Sequence, residues 1–196
     1  MNPVIDLRSY VSASNSRLLV MVDLQGNHHD EFAKHHAPDL TRSLANSAAA
    51  IRHARSLGLP IAFTRRANGA GSIERPVQSA WISGLEPKRS DMVFERAQPS
   101  CYANQLFEDV VSRAGSFTIA GLAGEACLAT AIDASHRGHH VTFLSDASLS
   151  RARRGTDAKD VHILTAKTVE LFADTVATRD WLVATSSRTA RGRRYG

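Results

Sequence analysis

Short apolar runs alternate with amphipathic stretches along most of this chain, and this alternation constrains the fold more than any other sequence feature. Residues 17–23 read RLLVMVD, a continuous apolar run ending in a carboxylate, as is typical of a strand buried on both faces. Residues 39–57 have apolar side chains at steps of three and four and stop before Gly58, as an amphipathic helix does. The pattern then predicts strands at 60–64, 91–95, 117–120 and 140–144, helices at 105–114, 127–137 and 157–169, and an edge strand at 172–176.

This order of elements predicts a three-layer α/β/α fold with a mostly parallel central sheet, because strand–helix repeats with short connections place helices on both sheet faces. The 196 residues, of which 43% are hydrophobic, suit one such domain. We place the domain at residues 17–180, after a lead segment of residues 1–16 and before a basic tail of residues 181–196. Residues 65–90 are rich in Gly, Ser, Pro and Arg and form a long excursion, a kind of loop that often carries function.

Composition and charge indicate which cellular compartment and which kinds of partner to expect. The chain has no run of about 18 apolar residues and no basic start followed by an apolar stretch, so we expect no membrane span and no secretory signal. Two cysteines do not make a disulfide framework, and we interpret both as reduced thiols of a cytoplasmic protein. The net charge of +5 comes from residues 151–196, with ten Lys or Arg against five Asp or Glu. No nucleic-acid-binding motif precedes this basic stretch, so a solvated tail is favoured over a nucleic-acid-binding arm.

Three reactive side chains follow the ends of different predicted strands. Asp23, Arg96 and Cys127 each stand at or just beyond such an end. Because open α/β sheets bind ligands beyond the carboxyl ends of their strands, we expect the three to converge at one edge. Cys127 opens a predicted helix after a Gly-containing turn, where free amides and the helix dipole favour a thiolate. A buried structural cysteine is the alternative interpretation.

The other two residues of this group have candidate roles. Asp23 ends a buried strand, so it is either paired or functional, and it could take the thiol proton and later deliver it to a leaving nitrogen. Capping of the following turn is its alternative role. Arg96 could hold the thiolate and keep Asp23 ionised. An exposed arginine at a strand end is the alternative. Trp81 and Tyr102 are candidate aromatic contacts for a substrate, or packing residues.

Two other patterns are weaker evidence for a functional site. The GLAG turn lacks the full GxGxxG pattern and a Walker lysine, so we do not interpret it as a phosphate loop. The histidines at 28, 29, 35 and 36 form no strict HxxxH-type pair with a nearby carboxylate, so surface histidines are favoured over a metal site.

Two segments resemble the isochorismatase-like cysteine hydrolases. LLVMVDLQ, with Asp23 and Gln25, is similar to the opening strand of that family, and IAGLAGEACLATAIDASHRGHHVTFLSDA is similar to its nucleophile segment. The resemblance extends over roughly residues 17–180 and implies an Asp–Lys–Cys triad. Asp23 and Cys127 match it, while Arg96 stands at the lysine position. Because arginine keeps the charge but cannot give up its proton, only an electrostatic role is expected of it.

The resemblance implies further features of the site. It implies a cis peptide between Leu122 and Ala123 that aims the amides of Ala123 and Cys127 at one oxyanion. Metal-dependent relatives, the nicotinamidases, use an Asp-x-His motif and a further His after the second strand, but FTRRANGAGSIERPVQSAW contains neither residue type. We therefore predict no metal and no cofactor. The aromatic residue that usually follows Asp-x-Gln is absent, so Gln25 and His28 predict a more polar wall for a small-molecule substrate.

The resulting prediction is a cysteine hydrolase, an amidase-type enzyme that cleaves a C–N bond of a small amide, ureide or carbamate through a thioester. The resemblance also implies a homo-oligomer. Two alternatives remain open: hydrolysis of a vinyl ether, which needs no cysteine, and a non-catalytic relative that binds a small metabolite or a protein. The departure from lysine at Arg96 is the best support for the second alternative.

Overall fold

A single sheet of six parallel strands forms the centre of the molecule, as seen in a computed structural model that describes residues 18–26, 29, 33, 37–67 and 80–192. The strands are β1 Leu19–Val22, β2 Ile61–Arg66, β3 Met92–Arg96, β4 Ser116–Gly121, β5 His140–Ser148 and β6 Asp174–Val176. The longer helices are α1 Ala37–Ser56, α2 Gln105–Ala114, α3 Gly124–His136, α4 Ala158–Val169 and α5 Thr178–Gly192, and a 3₁₀ turn spans Cys101–Ala103.

The strand order is β3-β2-β1-β4-β5-β6, and every pair is parallel. The chain moves outward from β1 to β3 and then returns to β4 on the other side of β1. The order therefore reverses between β1 and β4, and such a switch point opens a crevice at the carboxyl ends of the strands. At that end, Val22 pairs with both Thr64 of β2 and Gly121 of β4.

Two apolar cores sandwich the sheet. Helices α1 and α5 pack on one face, with Ile51 and the fully buried Trp181 among their contributions. Helices α2, α3 and α4 pack on the other face, with Phe107, Ala131 and Val169 among theirs. Central strands such as β1 are buried on both faces, which explains their continuous apolar sequence. The three-layer α/β/α prediction is confirmed.

Helix α2 shows how local signals set element boundaries. The Asn104 side chain accepts hydrogen bonds from the amides of Leu106 and Phe107, which caps the helix. Gly115 ends it with a left-handed φ of 72°. The helix therefore spans the residues that the sequence predicts.

Three boundaries differ from the sequence-based prediction by more than two residues, the first being the end of β5, which continues to Ser148 and not to 144. Helix α3 begins at Gly124, three residues before the predicted start at Cys127, and its capping residue Ala123 offers no side-chain bond. Helix α5 runs through the predicted boundary at residue 180, and Trp181 and Thr185 are buried against the domain. The first turns of α5 thus pack as part of the domain and not as a tail. Within the described part of the chain, no helix is long and apolar enough to cross a membrane.

Candidate active site

A buried ion pair joins the first and third strands at the carboxyl edge of the sheet. Arg96 Nη2 donates to Asp23 Oδ2 at 2.6 Å, and both side chains are only 3% exposed. Arg96 Nη1 also donates to the carbonyl of Gln98 at 2.9 Å, which fixes the plane of the guanidinium. The predicted convergence of Asp23 and Arg96 is therefore present in the structure.

The backbone turns sharply at Asp23. Its φ of 54° lies in the left-handed region, and no other described residue except glycine has a positive φ. The Asp23 amide donates to the Thr64 carbonyl at 2.9 Å, so the residue leaves β1 while still bonded to β2. Non-glycine residues in this region cluster at functional sites because the surrounding structure has to hold them there.

Cys127 lies on the neighbouring side of the switch point, in the first turns of α3. The turn that leads to it is bonded to β1, since the Leu122 amide donates to the Val22 carbonyl at 3.0 Å. Gly121 allows this approach: a Cβ there would lie 2.0 Å from the Val22 oxygen. Val22 therefore links the two groups: its carbonyl is hydrogen-bonded to the turn before Cys127, and Asp23 follows it in the chain.

Electrostatics at Cys127 differ from the sequence-based expectation. Burial raises the pKa of the Cys127 thiol well above its usual range, and the nearby Cys101 raises it further, while Arg96 lowers it. Burial also raises the pKa of Asp23, and Arg96 opposes that shift. The resting site therefore holds a protonated thiol, and a base is needed to form the thiolate.

The predicted oxyanion hole requires a correction. Because α3 begins at Gly124, the Cys127 amide is already inside the helix and donates to the Ala123 carbonyl at 3.0 Å. Cys127 therefore does not offer a free amide to an oxyanion. The amides of Ala123 and Glu125, by contrast, have no acceptor among the described residues, as is usual in the first turn of a helix.

The predicted cis peptide is also not found. The bond between Leu122 and Ala123 is trans, like the other peptide bonds of the described segments. The turn closes instead through Gly121, whose φ of 138° is accessible to glycine and strained for other residues. The Gly124 amide then donates to the Leu149 carbonyl at 2.7 Å.

A second thiol lies close to Cys127, which sequence spacing alone could not show. Cys101 is fully buried, and its amide donates to the Thr130 hydroxyl at 3.0 Å, one turn after Cys127 on α3. Burial raises its pKa, as it does for Cys127. Its thiol lies 3.6 Å from the Thr64 hydroxyl.

Three further charged side chains surround the site and were not singled out from the sequence. Glu125 stands in the first turn of α3 and pairs with Arg153 at 3.0 Å. Its negative charge acts to raise the pKa values of both Asp23 and Cys127, while Arg151 acts to lower that of Asp23. The GEAC segment and the arginines after β5 carry no pattern that would assign these positions in advance.

The candidate substrate contacts separate into two groups. Gln25 and Trp81 form an antiparallel bridge, and Trp81 packs edge-on against Phe63 at 5.6 Å with the Arg65 guanidinium 5.9 Å from the centre of its ring. Both lie near the carboxyl ends of β1 and β2. His28 lies outside the described residues.

Tyr102 does not support its predicted role. Its hydroxyl is 2.7 Å from His139 Nδ1, its ring packs on Phe107, and Arg137 covers it at 4.5 Å. His139 directly precedes β5, so this contact lies at the opposite end of the sheet from Asp23. Tyr102 is a packing residue because the 3₁₀ turn directs its ring toward the end of α3. The described residues contain no group of three or more His, Cys, Asp or Glu able to hold a metal ion.

Comparison with known proteins identifies the family of this chain. A family model of the isochorismatase domain matches residues 17–178. The chain therefore belongs to the isochorismatase family of hydrolases. No curated protein matches it.

Solved structures show the same fold at low identity. An isochorismatase from Pseudomonas putida is 24% identical, with a TM-score of 0.72 and coverage of 88% of this chain and 94% of that one. A cysteine hydrolase from Pseudomonas syringae is 17% identical, with a TM-score of 0.69 and coverage of 90% and 95%. The MAR1 ribonuclease from Caenorhabditis elegans is 19% identical, with a TM-score of 0.69 and coverage of 89% and 83%. These likenesses establish the fold alone.

Proposed function

We propose that the protein is a cysteine hydrolase that cleaves the C–N bond of a small amide, ureide or carbamate through a thioester on Cys127. The observation that supports this most is the buried Asp23–Arg96 pair at the switch point beside the nucleophile turn. Removing a carboxylate and a guanidinium from water costs free energy, and buried charged groups of this kind are typical of functional sites. In this proposal the carboxylate acts as the base for the Cys127 thiol.

The reaction begins with proton transfer. Asp23 accepts the proton of the Cys127 thiol, which its raised pKa makes it better able to do than an ordinary carboxylate. The thiolate then attacks the substrate carbonyl carbon. Arg96 cannot shuttle protons, so it stabilises the ionised carboxylate and the thiolate by charge alone.

The tetrahedral intermediate places a negative charge on the former carbonyl oxygen. The amides of Ala123 and Glu125 are the available donors, and they lie at the positive end of α3. Collapse breaks the C–N bond, and the departing nitrogen takes the proton from Asp23. Asp23 then deprotonates a water molecule, which attacks the thioester to release the acid and restore the thiol.

The two cysteines provide a matched test. Ammonia release from a panel of small amides, ureides and carbamates is measured for the wild type, Cys127→Ala and Cys101→Ala. We expect Cys127→Ala to abolish turnover and Cys101→Ala to retain it, since both remove a buried thiol but only one removes the nucleophile. Acid-quenched mass spectrometry should locate the acyl group on the peptide that contains Cys127. Full turnover by Cys127→Ala would end the proposal.

One observation favours the non-catalytic alternative. Cys127 is fully buried and its pKa is raised, which describes a structural cysteine as well as a resting nucleophile. A binding protein would retain the panel compounds in equilibrium dialysis without ammonia or an acyl adduct. Binding that is unaffected by Cys127→Ala, with no turnover in the wild type, would favour this second function.

A further inference from the structure

A cavity of about 180 Å³ opens between the N-terminal ends of α1 and α4, beyond the carboxyl end of β5. None of Asp23, Arg96 and Cys127 lines it, although Leu149 in its wall accepts from the Gly124 amide of the turn before Cys127. Its aliphatic walls are formed by Leu149, Ala158 and Ile163. An engineered apolar cavity of about 150 Å³ binds benzene, so this one is large enough for a ligand built on a single ring.

A buried hydroxyl without a partner lines the cavity. Ser43 on α1 is 2% exposed, and its Oγ has no hydrogen-bond partner among the described residues. Ser47, one turn later on the same helix, is equally buried but donates to the Ala147 carbonyl at 3.2 Å. Buried hydroxyl groups are almost always bonded, so the Ser43 hydroxyl calls for an acceptor that a ligand would supply.

A histidine and a second serine are available on the opposite side. His162 Nε2 lies 3.1 Å from the Ser145 carbonyl and donates to it, which leaves Nδ1 as an acceptor. The Ser150 hydroxyl lies 3.5 Å from that Nδ1, at the limit of hydrogen bonding. The Nδ1 atom of His162 and the Ser150 hydroxyl are therefore not held in a strong bond with each other.

Of the two cations at the cavity, Lys159 has no carboxylate partner among the described residues. Arg42 and Lys159 both line the cavity, and Lys159 belongs to the first turn of α4, where the helix dipole adds positive potential. Asp39 also lines it but is paired with Arg42 at 2.6 Å. Asp146 lines it too, and its Oδ1 accepts from the amide and hydroxyl of Thr178. Two carboxylates at the same cavity disfavour a dianion such as phosphate.

We propose that this cavity binds a small carboxylic acid anion with an apolar body about the size of benzoate. The carboxylate accepts from the Ser43 hydroxyl beside the positive charge of Lys159. The apolar body lies between Leu149 and Ile163. This inference does not depend on the reaction at Cys127.

The test is to measure benzoate binding to the full chain by calorimetry and by NMR of methyl-labelled protein. We expect saturable binding, with intermolecular contacts to the Ile163 and Leu149 methyl groups. Ser43→Ala should weaken it about tenfold, the usual effect of losing a hydrogen bond to a charged group. Ser47→Ala, a matched control on the same helix, should leave the affinity unchanged, as should Cys127→Ala.

Neutral and dianionic probes test the assignment of charge. Benzamide and inorganic phosphate should each bind at least tenfold more weakly than benzoate. Lys159→Ala, at an exposed position that keeps the fold intact, should also weaken benzoate. Absence of saturable benzoate binding, binding that depends on Cys127 and not on Ser43, or tighter binding of phosphate would overturn the proposal.

Discussion

At the residue scale, the pairing of Asp23 with Arg96 decides the character of the site. Both groups are buried, and burial raises the pKa of Asp23 despite the adjacent guanidinium. Arginine meets this demand by donating to Asp23 and to the Gln98 carbonyl from two different nitrogens. Arg96, at the position where the sequence resemblance implies a lysine, is thus compatible with an electrostatic role.

Arg96→Gln should destabilise the fold by about 3–5 kcal/mol, since it leaves a buried carboxylate without its counter-charge. Arg65→Gln is the matched control: Arg65 also pairs with a carboxylate, that of Glu95, but Glu95 is 45% exposed. Its loss should cost no more than about 1 kcal/mol. Urea unfolding of both variants checks the difference, and equal losses would contradict the view that burial sets the strength of the first pair.

At the element scale, the turn from β4 into α3 depends on close backbone contact. Gly121 has a φ of 138°, and a Cβ on it would lie 2.0 Å from the Val22 carbonyl oxygen. Gly138, at the end of α3, also has a positive φ of 71° but faces open space. The first glycine is required by contact and conformation together, and the second by conformation alone.

Gly121→Ala should therefore cost much more stability than Gly138→Ala. The Gly138 variant pays only the left-handed backbone penalty, about 1–2 kcal/mol. The Gly121 variant must also separate β1 from β4, and we expect little folded protein at 25 °C. Thermal unfolding monitored by circular dichroism compares the two, and similar melting temperatures would show that the β1–β4 contact is less tight than described.

Helix α3 also shows why part of the site could not be read from the sequence. Its predicted start at Cys127 rested on the Gly-containing turn, and GEA shows no capping side chain that would move the start to Gly124. For this reason the Cys127 amide, which the sequence predicts as an oxyanion donor, lies inside the helix and is already bonded. The sequence predicts Asp23, Arg96 and Cys127 because each lies at or soon after the end of a strand, whereas the proximity of Cys101 depends on packing between distant elements.

At the scale of the whole molecule, the parallel order and the layers followed directly from the strand–helix repeats. The C-terminal boundary is less evident in the sequence, because the residues after 180 are mostly basic and polar and Trp181 is the single large aromatic residue before the last arginines. In the structure Trp181 is fully buried against α1 and the sheet. Tyr102 was also misplaced, since sequence spacing does not reveal toward which end of a sheet a side chain points.

Stability should fall as the pH is lowered below about 6.5, the ordinary pKa of histidine. Burial lowers the pKa values of His53, His139 and His162, so the unfolded chain takes up protons that the folded protein does not. A folded pKa below the unfolded one means that stability is complete above the unfolded pKa and is lost progressively beneath it.

Urea unfolding at pH 7.5, 6.5 and 5.5 measures the slope of the free energy of unfolding against pH. His162→Gln should flatten it by at most about 1.4 kcal/mol per pH unit, the limit for one proton. His136→Gln, at an exposed position on α3, is the control and should leave the slope unchanged. A free energy of unfolding that stays constant or rises toward pH 5.5 would contradict the prediction.

The hydrogen bond from Gly124 to Leu149 has a consequence for synthesis of the chain. Asp23, Arg96 and Cys127 all leave the ribosome before Leu149 does, yet the first turn of α3 is bonded at 2.7 Å to the Leu149 carbonyl, just beyond β5. The nascent chain therefore carries every reactive side chain before it can complete the turn that presents the thiol. We therefore expect the candidate site to form late, after β5 has docked on the sheet.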